Sequence, residues 1–375
     1  MPLQLLDTRN SSEEETGTFE NANDTRLETI MHNQTRLYGI DIARLASMFM
    51  VVLLHNLLQG GVLTWSFESP KDYVYALFEN YAIIAVNVFA LISGFLGVGR
   101  KVRLSKIIQL WISAVSWSAG ISLFGVALGA TIDSWFWESF FPVLGSCYWY
   151  FNSYLILQLF LPFINNGILR MDRKKLLLLA LALVLSSSLL GFPVGLGINS
   201  GYSVLWLLVL WIAGAAMKLN WNTIILWLSG KRLFIGLVVI PFISLYFEIQ
   251  YVMEGLNPNQ WIQYVSPFVV IQSFCFFILS ARIKIHNEPV QKTLKALSPL
   301  AFGVYLIDNS SWFYSFYLKN RFAPLLNIRV CYGAPLLMVI SLTMFTTFLA
   351  LEAGRTAIFQ TLIVRRKGRK TTNTF

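Results

Sequence analysis

The chain has 375 residues, of which 13% are charged, 56% hydrophobic and 15% aromatic, and its mean hydropathy is +0.60. Soluble domains carry about twice that share of charge, so this composition excludes an ordinary soluble protein and describes a polytopic membrane protein. The net charge of +10 is unevenly spread: residues 1–36 are acidic and the remainder is more basic still, a pattern of membrane topology rather than of nucleic-acid binding.

Residues 1–36 are rich in Ser, Asn, Thr and Glu and read as a disordered acidic tail. They have no basic n-region followed by an apolar h-region, so they are not a signal peptide. From Tyr38 onward, apolar runs predict an all-α domain over residues 37–360 with ten spans, roughly 38–60, 73–98, 107–129, 148–168, 176–192, 202–217, 233–251, 263–281, 299–318 and 332–353. A basic tail, 361–375, follows. No internal repeat is visible, which argues mildly against inverted-repeat transporters.

Basic residues test this count independently. With ten spans and both termini in the cytoplasm, the outer segments hold only Lys71, Lys319, Arg321 and Arg329, and every other Lys or Arg except Arg44 falls inside, as the concentration of Lys and Arg on the cytoplasmic side requires. An odd number of spans would spoil the segregation. The aromatic run Trp135, Phe136, Trp137, Phe140 and Phe141 reads as an outer interfacial segment.

The first span is unusual because it holds Arg44 and His55 in an apolar helix. A charged or titratable group in hydrocarbon costs at least a few kcal/mol and is a functional candidate by default. Eleven residues at 100° each are about three turns, so both side chains share one face, separated by about 16 Å of rise. Arg44 is placed near the cytoplasmic side and His55 in the outer half. Glu79 is expected about two turns below the outer surface, Tyr305 and Asp308 near mid-membrane or slightly beyond, and Trp149, Tyr150 and Tyr154 at the outer end of the fourth span.

This separation suits a two-ended acyl donor such as coenzyme A. Cytoplasmic Arg and Lys would hold the anionic head while the pantetheine arm, comparable in length to that rise, threads to His55. The imidazole would act as general base on an acceptor hydroxyl or as a transient acyl carrier, with Glu79 or Asp308 orienting it or holding the acceptor. Blander roles compete: Arg44 as an anchor paired with Asp41 at i,i+3, His55 as a hydrogen-bonded packing residue, Glu79 and Asp308 as packing or cavity groups, Trp149 and Tyr150 as an aromatic belt. Cys147, Cys275 and Cys331 have no metal-like spacing, Cys147 is expected to be inert, and Glu352 is expected to pair with Arg355.

Four segments in order resemble the acyltransferase-3 family of membrane O-acyltransferases: GIDIAR with ten residues between Arg44 and His55; NVFALISGFLGVGR, with a Ser-Gly-Phe-Leu turn at Ser93 to Leu96; YWYFNSYLILQLFLPFINN, around Trp149 to Asn165; and SPLAFGVYLIDNS, around Tyr305. The resemblance implies transfer of an acyl group, most often acetyl, from cytoplasmic acyl-CoA to a hydroxyl of a cell-surface polysaccharide or its lipid-linked precursor, at a cell membrane. Acetyl-CoA would be a co-substrate rather than a permanently bound cofactor, and no metal is implied. His55 matches the family's catalytic histidine and Arg44 its paired basic residue; Arg100, Arg103 and Lys106 match a basic region only loosely. Many relatives place histidine where this chain has Asp308. The rival readings are a proton-coupled transporter or flippase for a sugar or lipid-linked glycan, and a non-catalytic scaffold.

Overall fold

The computed structural model describes residues 36–143, 148–194 and 198–372. Among these there is no strand, and the architecture is all helical. Six helical segments are long and apolar enough to cross a membrane: Tyr38–Leu58, Pro70–Gly97, Leu104–Ala127, Arg173–Phe192, Gly230–Met253 and Val330–Thr361.

In chain order, α1 is Tyr38–Leu58, α2 Pro70–Ala82, α3 Ala85–Gly97, α4 Leu104–Ala127, α5 Ser134–Glu138, α6 Trp149–Arg170 and α7 Arg173–Val194. They are followed by α8 Val204–Leu219, α9 Trp221–Trp227, α10 Gly230–Met253, α11 Pro267–Arg282, α12 Glu288–Leu297, α13 Ala301–Asp308 and α14 Val330–Thr372. The predicted second span is two helices separated by a turn at Ile83–Ile84. Ser93 to Leu96, read from sequence as a turn, lies inside α3. The predicted sixth span is α8, which bends by 86° into the short α9 at Asn220, whose amide donates to the Ala216 and Arg173 carbonyls.

The largest difference from the sequence reading falls at 299–318. Instead of one continuous span there is a 3-10 turn, the eight-residue α13, and a π-turn at Phe313–Tyr317. Asp308, Asn309, Ser310 and Ser311 follow one another here, and short polar side chains compete with the helix for backbone hydrogen bonds. A hydropathy window averages over such a break. The acidic tail falls outside the described residues apart from Arg36, as does Cys147.

The helix α1 sits at the centre, with α2, α3, α11, α13 and α14 packed around it. The most hydrophobic stretch of α1 is 61% buried, against 22% for α4 and 28% for α10, whose exposed Leu, Phe and Ile side chains are the composition expected of a lipid-facing surface. The tightest helix pair is α3 against α8. A Cβ at Gly94 would strike the Trp211 carbonyl and one at Gly214 the Leu91 carbonyl, so small residues set the close approach as they do between membrane helices.

Polar ties hold the central helices in register. Asn56 of α1 donates to Ser341 of α14 at 2.9 Å, Tyr148 donates to the Leu306 carbonyl of α13 at 2.8 Å, and Asn80 of α2 donates to Glu248 of α10 at 2.7 Å. At the start of α2, the Asp72 carboxylate accepts from the Ser69 amide, the Thr64 hydroxyl and the Ser66 hydroxyl. Together with Pro70 in the first turn, this is the capping chemistry that begins a helix and fixes the loop leading into it.

Candidate active site

His55 lies in the last turn of α1. Its Nδ1 is 2.6 Å from Oδ2 of Asp308, the last residue of α13, whose side chain is fully buried. Asp308 ends α13, and the chain turns there at Asn309. A carboxylate accepting at Nδ1 places the ring proton on that nitrogen and leaves the Nε2 lone pair as the basic site, the orienting arrangement that histidines use in proton transfer. The Tyr314 ring packs edge-on against the imidazole with centroids 4.9 Å apart.

Of the two acids offered as partners of His55, the structure selects Asp308. Glu79 is also fully buried, but it accepts from the Trp65 indole at 3.0 Å. The proposed ion pair of Arg44 with Asp41 is absent. Asp41 takes a bidentate contact from Arg36 at 2.7 and 3.1 Å, and Arg44 Nη1 donates to the Ser298 hydroxyl at 3.0 Å. Glu352 does pair with Arg355, at 2.6 Å, and also accepts from Trp117 of α4.

Three cavities that share wall residues lie along these groups. The first, about 50 Å3, is lined by His55 together with Met48, Val86, Trp149, Tyr264 and Tyr305. The second, about 190 Å3, contains Arg44 and Ser298 and shares Phe89, Tyr150 and Phe302 with the first. The third is a wide mouth of about 1150 Å3 lined by Arg100, Lys101, Arg103 and Lys106, and it shares Ser93, Leu110 and Tyr154 with the second. The shared wall includes the stacked rings of Tyr150 and Tyr154, one helical turn apart, with centroids at 6.3 Å and planes within 6°. Ser93 borders the same wall, its hydroxyl donating to the Phe89 carbonyl at 2.9 Å.

The sequence-derived set is therefore largely gathered. His55, Asp308, Trp149, Tyr150 and Tyr305 meet at one end, Arg44 stands between, and Arg100, Arg103, Lys106 and Tyr154 line the other end; Glu79 is set apart. Sequence reasoning missed Phe89, Phe302, Tyr264 and Ser298. Phe89 belongs to the quoted NVFALISG segment and Ser298 and Phe302 to SPLAFGVYLIDNS, so proximity to those motifs was the available signal. Tyr264 lies in the 254–266 loop region with no motif to mark it. Among the described residues, no three His, Cys, Asp or Glu side chains converge as a metal site would require.

Neither a search of curated proteins nor one of solved structures returned a match. The acyltransferase-domain profile of the acyltransferase-3 family matches residues 37–354, which runs from the turn before α1 into α14 and takes in every residue of the three cavities. With its apolar helices and a matched region that covers most of its length, the chain belongs to the acyltransferase-3 family and is a membrane acyltransferase.

Proposed function

We propose that the protein moves an acetyl group from cytoplasmic acetyl-CoA to a hydroxyl of a cell-surface polysaccharide or its lipid-linked precursor. In this reading the chain crosses the membrane ten times with both termini in the cytoplasm, and the four-cation mouth opens on that side. The observation that carries it is the run of adjoining cavities from Arg100, Lys101, Arg103 and Lys106, past Arg44, to His55.

A coenzyme A head bears several phosphate charges, which guanidinium and ammonium groups recognise through charge-assisted hydrogen bonds. The uncharged arm needs a narrower passage, and the rings of Phe89, Tyr150 and Phe302 provide one. At its end the thioester carbonyl lies beside His55. Nε2 takes the proton of the acceptor hydroxyl while the oxygen attacks the carbonyl carbon; the C–S bond then breaks, and the imidazolium returns the proton to the departing thiolate. An ester and free CoA result, and the imidazole is restored. A two-step course with an acyl-imidazole balances equally well. Asp308 holds the ring and stabilises its cationic form in either course.

Purified protein given acetyl-CoA without acceptor is expected to release free thiol slowly by transfer to water, and His55→Ala is expected to release none while keeping the wild-type elution profile in detergent. Near-normal release by that variant would remove the mechanism. A transporter or flippase would move its substrate without making thiol, so absence of release from the wild type with every short-chain acyl-CoA would favour that reading.

A further inference from the structure

The segment joining α3 to α4 carries Arg100, Lys101 and Arg103, with Lys106 in the first turn of α4. Nothing in its own sequence keeps these residues over the mouth. Like charges this close repel, Arg100, Lys101 and Arg103 are exposed, and Gly99 turns the chain through a left-handed conformation, φ 78°, that favours glycine.

What holds the segment is one carboxamide on another helix. Asn165, in the second turn from the end of α6 and 6% exposed, accepts from the Gly99 amide at Oδ1 over 3.2 Å. Its Nδ2 donates to the Arg100 carbonyl at 3.1 Å and more weakly to the Gly97 carbonyl at 3.4 Å. Both polar atoms of the side chain are thus committed to backbone, although Asn165 also borders the mouth.

We propose that Asn165 is a positioning residue that clasps the 97–100 turn and so holds Arg100, Lys101 and Arg103 where they meet the phosphates of a nucleotide-bearing donor. This rests on the donor reading above. The chemistry of the clasp is specific, since one acceptor must face an amide while donors face two carbonyls. Aspartate supplies only acceptors and would set a carboxylate oxygen against both carbonyls; glutamine is one methylene too long. A role that needed only negative charge near the cations would instead tolerate aspartate.

The test compares two donors with the same thioester and arm, acetyl-CoA and S-acetylpantetheine, the second lacking the nucleotide. For Asn165→Ala and Asn165→Asp, KM for acetyl-CoA is expected to rise about tenfold, which is about 1.4 kcal/mol, with kcat and the KM for S-acetylpantetheine within about twofold of wild type. Gly99→Ala should raise the acetyl-CoA KM similarly, and combining it with Asn165→Ala should add little, since both break the same contact. Full additivity would assign Asn165 to direct contact with the nucleotide and overturn the clasp. So would an unchanged Asn165→Asp, or a parallel loss with both donors. Calorimetric titration with coenzyme A separates the two readings. A wild type that binds coenzyme A without releasing thiol from acetyl-CoA would sink only the transfer chemistry. Equal affinity in wild type and Asn165→Asp would sink the clasp, and a wild type without affinity would sink both.

Discussion

The two ends of the cavity series are built on opposite principles. The mouth is about 1150 Å3 with four cations on its wall, on a surface where water and salt screen each charge. The His55 end is about 50 Å3, walled by rings and aliphatic side chains, and the imidazole on its wall is bonded to the buried Asp308 carboxyl at 2.6 Å. In such low-dielectric surroundings a single hydrogen bond is strong and an unpaired charge is costly. A site that must grip a highly charged molecule and also do chemistry at its uncharged end gains from keeping the two environments some distance apart, and Arg44 marks the boundary between them.

This contrast predicts unequal effects of mutation. The largest is expected for His55→Ala, with thiol release falling to background, because a positioned general base contributes about 10²–10⁴-fold. Next comes Asp308→Asn, which preserves size but removes the carboxylate. Replacing a carboxylate that orients a proton-transferring histidine by its amide favours the wrong tautomer and costs up to about 10⁴-fold, so kcat should fall steeply with the acetyl-CoA KM nearly unchanged. A large KM effect instead would show that Asp308 belongs to donor binding.

Arg44→Ala should weaken donor binding about tenfold or more, in line with hydrogen bonds to a charged group at about 1.5–3 kcal/mol, while leaving acceptor affinity alone. If donor affinity held, Arg44 would be an anchor and the boundary would have to be drawn elsewhere. The smallest effect is expected at the mouth, where Arg103→Ala should raise the acetyl-CoA KM only a few-fold. There the sharper measurement is ionic strength: the KM for acetyl-CoA should climb between low and moderate salt and the KM for S-acetylpantetheine should stay flat. Equal salt sensitivity of the two donors would erase the distinction between the two ends.

Asp308 shows where sequence reading stopped. Both it and Glu79 could be assigned to the outer half of the membrane from charge segregation, and nothing local separates them. The choice depends on the packing of α13 against α1, which sets that carboxyl against a histidine 253 positions earlier, while Trp65 donates to Glu79. Arg44 is a second case. Spacing alone offered it Asp41 one turn away, but Arg36 engages that acid and Arg44 turns to Ser298, 254 positions later. Local periodicity states which partners are within reach; it does not state which reach wins.

What could be read from residues alone was whatever depends on short-range regularity. The helical period put Arg44 and His55 on one face, apolar run length announced the membrane-length helices, and the scarcity of charge announced a membrane protein. All of these follow from 3.6 residues per turn and from the cost of charge in hydrocarbon. The tertiary structure decided the rest: that the late apolar run breaks at Asp308, that Asn165 ties down the basic turn, and that rings from α3, α6 and α13 close around the passage between the two ends. These depend on contacts between segments far apart in the chain, whose alternatives are alike in hydropathy and are separated only by packing and by which hydrogen bonds can be satisfied together.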